Sequence, residues 1–133
     1  MPYKNKRDQA EACRRHYYRN KKEYVARVNA FRKRALARNK KFIADYLASH
    51  PCVDCGEADI VVLDFDHVSG EKRNEVSNLA RRKVSLATLQ AEIDKCEVRC
   101  VKCHRRVTSQ RRLQKKAAAT VQLETKQQNK MLF

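Results

Sequence analysis

The chain has 133 residues, no tryptophan and over a third charged residues, so it can bury only a small apolar core. Its formal net charge of +16 favours a polyanionic partner. No stretch approaches the roughly 18 apolar residues of a membrane span, so we expect an intracellular protein without a membrane partner.

The charge is unevenly distributed along the chain. Residues 1–50 carry fifteen Lys/Arg against four Asp/Glu, residues 99–116 carry eight against none, and residues 51–98 carry six against ten. Two basic segments around an acidic centre suit a protein that binds both a nucleic-acid backbone and a divalent cation, as phosphodiester cleavage requires. A solvated basic surface of the ribosomal or histone kind would explain the basic segments alone.

Residues 1–50 are predicted as a basic helical arm. Between Lys6 and Leu47 there is no glycine or proline, and apolar residues recur at helical spacing. These residues are Tyr17, Tyr24, Val28, Phe31, Ala35, Phe42 and Tyr46. We predict an interruption near Asn39. Since a small core cannot cover a helix of roughly 60 Å, part of this stripe needs a partner, and we expect a homodimer surface there.

Residues 51–116 are predicted as a small α+β domain, and residues 117–133 as a frayed or disordered tail. Pro51 ends the arm. A strand is predicted at Ile60–Asp66, and a second, short strand at Glu97–Arg99. Between them lies a short helix, which Ser85 caps and which carries Leu86, Leu89 and Ile93 on one face. A basic helix follows at Val101–Lys116.

Two Cys-x-x-Cys pairs, separated by 44 residues, are the strongest metal signal. Their members are Cys52, Cys55, Cys100 and Cys103. In a reducing compartment these four thiolates predict a structural zinc ion, because a disulfide or a redox pair would leave the second motif unexplained. Cys96 competes as a ligand by position, although a buried thiol is the favoured role, and Cys13 has no predicted function.

Asp66 and His104 remain available once four cysteines complete a tetrahedral site. Asp66 ends the first strand and His104 begins the last helix, which the zinc ties to the same region, so the two side chains can converge on a second, divalent ion. Asp64 shares the strand face of Asp66, whereas Leu63, Phe65 and His67 face the other way. Asp64 is therefore either a supporting carboxylate or a surface residue.

This order of motifs resembles the HNH endonuclease family with its ββα-metal fold, and most closely the branch with two Cys-x-x-Cys zinc knuckles. The resemblance covers about residues 51–110 and rests on a strand ending in Asp66-His67, followed by a loop and by the segment Cys100-Val101-Lys102-Cys103-His104-Arg105.

The resemblance implies hydrolysis of DNA phosphodiesters. It implies that His67 is the general base and that Asp66 and His104 hold one catalytic ion, which is Mg²⁺, Mn²⁺ or another divalent transition metal. A histidine base implies that cleavage is lost on the acid side. The setting implied is the cytoplasm of a bacterial or phage-infected cell, with phage or mobile-element biology among the possibilities.

Basic residues around the second knuckle are expected to contact DNA. Arg105 is expected to reach the phosphate. The residues expected to contact the DNA backbone are Lys102, Arg106, Arg111 and Arg112. The alternative for these basic residues is a solvated helix face. Lys102 stands where many relatives have Asn. The middle Asn of the HNH family has no aligned counterpart in this chain, since Lys95-Cys96 stand near its place. Asn74 and Asn78 are the candidates to replace it.

Two other functions stay open. One is a non-enzymatic zinc module that binds nucleic acid through its basic helices, in which Asp66, His67 and His104 are only structural. The other is an RNA-associated zinc protein resembling ribosomal components, which leaves Asp66-His67 unexplained. The sequence does not indicate a preferred DNA sequence, or whether one or both strands are cut.

Overall fold

A computed structural model describes residues 3–132. Its elements are α1 (Lys6–Arg19), α2 (Lys21–Ser49), a 3₁₀ turn (Ile60–Val62), β1 (Leu63–His67), α3 (Val76–Arg81), α4 (Leu86–Ile93), β2 (Cys96–Cys100) and α5 (Val101–Met131). None of the helices within residues 3–132 has the length and apolar character that a membrane crossing requires.

β1 and β2 form a two-stranded antiparallel sheet, with Leu63 opposite Cys100 and His67 opposite Cys96. Helices α3 and α4 lie between the two strands in sequence, and α5 follows β2 without a loop. The predicted α+β class is confirmed, with the second strand at the predicted place. The first strand is shorter than predicted because the Asp59 side chain accepts a hydrogen bond from the Val61 backbone, which caps a 3₁₀ turn instead.

The arm is interrupted at Asn20, and the interruption predicted near Asn39 is wrong. The Asn20 side-chain amide donates to the His16 carbonyl at 3.0 Å, beside the ordinary helical bond from the Asn20 backbone N–H, and α1 ends at this point. Asn39 instead lies inside α2 and is fully buried. Its amide donates to the carbonyls of Val84 (3.0 Å) and Ala80 (3.4 Å), so this residue anchors the arm to the turn after α3.

The core consists of two apolar clusters that share three half-buried side chains. The first cluster contains Leu47, Cys52, Leu63, Val98, Cys100 and Cys103. The second contains Val76, Leu79, Ala80, Leu89 and Ile93. Ile43, Tyr46 and Phe65 contact both clusters. The arm and the sheet are thereby packed together through the C-terminal half of α2.

Ser85 caps α4 as predicted, since its hydroxyl accepts from the Thr88 backbone at 3.2 Å. Leu89 and Ile93 are fully buried, whereas Leu86, predicted on the same face, is at the edge of the core and exposed.

Helix α5 runs to Met131, fifteen residues past the end predicted at Lys116. The tail predicted as frayed or disordered is therefore helical from residue 117 through Met131. The segment lacks glycine and proline and is rich in Ala and Gln, which favours helix without a packing partner. Residues 1, 2 and 133, which belong to the predicted arm and tail, lie outside the described residues.

Candidate metal and nucleic-acid site

The two Cys-x-x-Cys pairs converge into one cluster. The sulfurs of Cys52, Cys55, Cys100 and Cys103 lie within 4.8 Å of one another. Cys55 Sγ and Cys100 Sγ are 3.6 Å apart, close to the roughly 3.8 Å expected between two thiolates on a tetrahedral zinc ion. The predicted ligand set is confirmed as a cluster that fits zinc, and it joins the loop after α2 to the start of α5.

Backbone geometry aims the sulfurs. Gly56 has φ of +77° and donates its N–H to the Cys52 carbonyl at 2.9 Å, which is the tight turn that the glycine after the second cysteine predicts. Cys100 is the N-cap of α5, and its sulfur accepts from the Cys103 backbone at 3.5 Å. Each pair therefore presents both sulfurs from one turn.

Four adjacent thiols cannot all ionise without a cation among them. Burial opposes ionisation of Cys52, but backbone N–H groups of Cys100, Cys55 and Asp54 donate to its sulfur and lower its pKa to about 6. The Cys103 thiol donates to Cys100, which raises its pKa to about 12. A divalent cation would remove this mutual repulsion, since it favours all four thiolates.

Cys96 lies outside the cluster. Its thiol donates to the Glu92 carbonyl at 3.4 Å, and burial, together with the charge of Glu92, raises its pKa to about 11. A neutral, half-buried thiol is the role that the sequence favours. Cys13 is exposed on α1.

Asp66 and His104 are brought together across 38 positions of sequence. Asp66 Oδ1 lies 3.6 Å from His104 Nε2, and Asp64 Oδ2 lies 3.6 Å from His104 Nδ1. Asp66 is 3% exposed, while Asp64 is exposed at the rim. Within residues 3–132, the cysteine cluster is nevertheless the one set of three or more His, Cys, Asp or Glu side chains close enough to hold a metal ion.

Two arginines hold the Asp66 carboxylate. Arg99 Nη1 lies 2.5 Å from Oδ2, and Arg111 donates to both oxygens at 2.8 and 3.0 Å. Burial alone would raise the pKa of Asp66, but these hydrogen bonds and charges, with His104 nearby, lower it. Arg111, which was expected on the DNA backbone, has this carboxylate as an intramolecular partner.

The role of Arg99 was missed by sequence reasoning. Arg99 lies opposite Asp64 in the sheet register, which makes it a diagonal neighbour of Asp66 on the same face. Arg111 follows His104 by seven residues, two helical turns, so both point from one face of α5. Both placements could be derived only after the strand register was known.

His67 lies at the end of β1, on the strand face opposite Asp64 and Asp66, and its Nε2 is 2.8 Å from Glu92 Oε1. Glu92 is 2% exposed and also accepts from the Arg73 backbone (3.0 Å) and from Lys95 Nζ (2.9 Å). Burial opposes its ionisation, but the Lys95 and His67 contacts and the loop N–H groups lower its pKa to about 2.

Glu92 was also missed by sequence reasoning. The helix that carries it was interpreted as a packing element, and the one indication is its i,i+3 spacing from the buried Leu89. Asn74 and Asn78, the candidates for the family's middle Asn, contact each other at 3.5 Å.

The remaining basic candidates fall on two sides of α5. Arg105 and Arg112 line an open groove of about 570 Å³ together with Asp64 and His104. Lys102 and Arg106 line a separate depression beside the cysteine cluster. The groove therefore brings two arginines beside His104, the histidine that lies 3.6 Å from Asp66.

Comparison with known proteins returned no match among family models, curated proteins or solved structures.

Proposed function

We propose that this chain is a metal-dependent DNA endonuclease of the HNH type. One distance supports this above all: Asp66 Oδ1 and His104 Nε2 lie 3.6 Å apart at the junction of β1 and α5. Two ligand atoms at roughly 2.1 Å from one ion lie about 3.0–3.5 Å apart, so a small shift lets both bind the same cation. The order β1, β2, α5 and the cysteine cluster agree with a ββα-metal fold.

Asp66 and His104 would hold the divalent ion, and Asp64 would add negative charge from the rim. When bound, the ion would polarise the phosphate and stabilise the departing oxygen. Two protein ligands leave the other coordination positions open to water and phosphate. Arg105 and Arg112, which line the adjacent groove, would orient the DNA backbone.

His67 would act as the general base, and Glu92 would orient it. Because Glu92 is ionised and can only accept, the 2.8 Å contact assigns the proton to His67 Nε2 and leaves Nδ1 free to take a proton from water. Glu92 also holds the loop through the Arg73 backbone. It thereby combines the two tasks that the resemblance gives to the family's middle Asn, which are to brace the loop and to orient the base.

A second candidate is a non-catalytic zinc module that binds nucleic acid. Two observations favour it: both Asp66 oxygens are engaged by Arg99 and Arg111, and strand alternation places His67 on the opposite face from Asp66. In that case the Asp66 network would only fix α5 against the sheet.

Plasmid nicking separates the two candidates. Zinc-loaded protein is incubated with supercoiled DNA and Mg²⁺, Mn²⁺ or no added metal, beside His67→Ala and a surface control, His16→Ala. The nuclease should nick only with added metal, and His67→Ala should lose roughly 10²-fold or more while retaining its fold and DNA binding. Nicking that is absent in the wild type, or equal in His67→Ala, would reject the nuclease.

A further inference from the structure

An open pit between the arm and the turn after α3 combines apolar and basic side chains. Its volume is about 530 Å³, and its lining consists of Tyr24, Arg27, Val28, Phe31, Arg32, Arg82 and Lys83. Tyr24 is 48% exposed and Phe31 is 65% exposed. Among the described residues that line the pit, none is acidic. An aromatic floor with four cations around it is the combination that binds unpaired bases and their phosphates.

The two walls of the pit are fastened together. Arg38 Nη2 and Asn39 Nδ2 both donate to the Val84 carbonyl, at 3.1 and 3.0 Å. Val84 directly follows Lys83 on the pit wall, and Asn39 is fully buried. The turn and the arm therefore form one continuous surface, with the backbone of Lys83 fixed beside the aromatic side chains of α2.

Lys83 adopts a backbone conformation that favours glycine. Its φ is +57°, and it lies directly after the C-cap of α3, where glycine is the usual residue. A lysine there is strained, and its side chain reaches the pit. Lys83 therefore adds a cation to the pit at a position where glycine would be less strained.

The aromatic surface continues from the pit along the arm. Tyr24 packs edge-on against Tyr17, with ring centroids 5.4 Å apart, and Tyr17 packs against Tyr18 at 5.5 Å. From Phe31 to Tyr24 helix α2 rises roughly 10 Å, and Tyr17 extends the aromatic row past the interruption at Asn20.

We infer that this surface binds the bases of single-stranded DNA. A second copy of the chain, the partner first expected for the stripe, would bring two arms with fifteen Lys/Arg and four Asp/Glu each against one another. A polyanion instead complements that charge. The phosphates of duplex DNA would contact the cations, but its paired bases would leave the aromatic faces without partners. In a single strand the phosphates contact the cations and the unpaired bases stack on the aromatic rings. The choice of DNA rests on the proposed function.

The test measures binding without added Mg²⁺ or Mn²⁺, so that no cleavage occurs and the result is independent of the nuclease proposal. A labelled 20-nucleotide strand, its duplex and an RNA strand of the same sequence are titrated by anisotropy with zinc-loaded protein. The variants are Tyr24→Ala/Phe31→Ala, Lys83→Gly, and Leu123→Ala as an exposed helical control. Sedimentation records the oligomeric state of each.

The double variant should bind single-stranded DNA at least about fivefold more weakly, the lower bound for one lost stacked base, with duplex binding changed less than twofold. Lys83→Gly should weaken DNA binding without lowering Tm, and Leu123→Ala should match the wild type. Equal losses on single strand and duplex, tighter binding of the RNA, or a wild-type dimer that the double variant dissociates would overturn the inference.

Discussion

Replacing Glu92 by glutamine should destabilise the protein by about 2–3 kcal/mol at neutral pH. The carboxylate is nearly inaccessible and its pKa lies at about 2, against an ordinary 4.5, which corresponds to about 3 kcal/mol of stability. Glutamine keeps the shape of the side chain but loses its charge. Its NH₂ group also replaces one of the carboxylate oxygens that accept hydrogen bonds from His67, Arg73 and Lys95, so two donors then face each other. Lys95 is 30% exposed and can regain water, which offsets part of the loss.

Urea denaturation of zinc-loaded protein measures this difference. Because the pKa of Glu92 is lower in the folded than in the unfolded protein, its carboxylate stabilises the fold above pH 4.5, and this stability is lost as the pH falls toward 2. The difference in unfolding free energy between wild type and Glu92→Gln should therefore narrow between about pH 4.5 and pH 2. Glu75→Gln is the matched control, because Glu75 pairs with Lys72 at the surface and should cost under about 0.5 kcal/mol. Equal costs for the two variants, or a gap that widens toward acid, would refute the reasoning.

Two further predictions concern the metals. Cys52→Ser should release zinc and unfold the sheet region, because structural zinc supplies folding free energy. Metal analysis and circular dichroism measure the two effects, and the control Cys96→Ser should keep full zinc occupancy. Zinc retained by Cys52→Ser would contradict this prediction. Arg111→Gln frees one side of Asp66, so the Mg²⁺ concentration for half-maximal nicking should fall several-fold, while Lys115→Gln, an exposed position of the same helix, should leave it unchanged. An unaltered or higher Mg²⁺ requirement in Arg111→Gln would count against competition between arginine and metal.

Local chemistry made part of the fold predictable. The spacing of the cysteine pairs, the glycine at Gly56 and the cap at Ser85 each fix a few neighbouring residues, and all three are as predicted. Strand alternation likewise placed Asp64 and Asp66 on one face. These features depend on chain segments of a few residues, which a sequence displays directly.

Features set by distant contacts were not predictable. Asn20 and Asn39 look alike in sequence, yet only the second meets the carbonyls of Ala80 and Val84, and these contacts keep it helical. Arg111 reaches Asp66 across 45 positions, so the register of the sheet and the path of α5 had to be known first. The burial of a charged residue such as Glu92 has no reliable pattern, because it is decided by the donors that other elements bring.

The most direct measurement is a Mn²⁺ titration of zinc-loaded protein, followed by electron paramagnetic resonance of the free ion. If Asp66 and His104 share one divalent cation, the wild type should bind one Mn²⁺ per chain and His104→Ala should lose that site, while His67→Ala, whose side chain contacts Glu92, should bind as the wild type does. Absence of a Mn²⁺ site in the wild type, or an unchanged site in His104→Ala, would contradict the assignment.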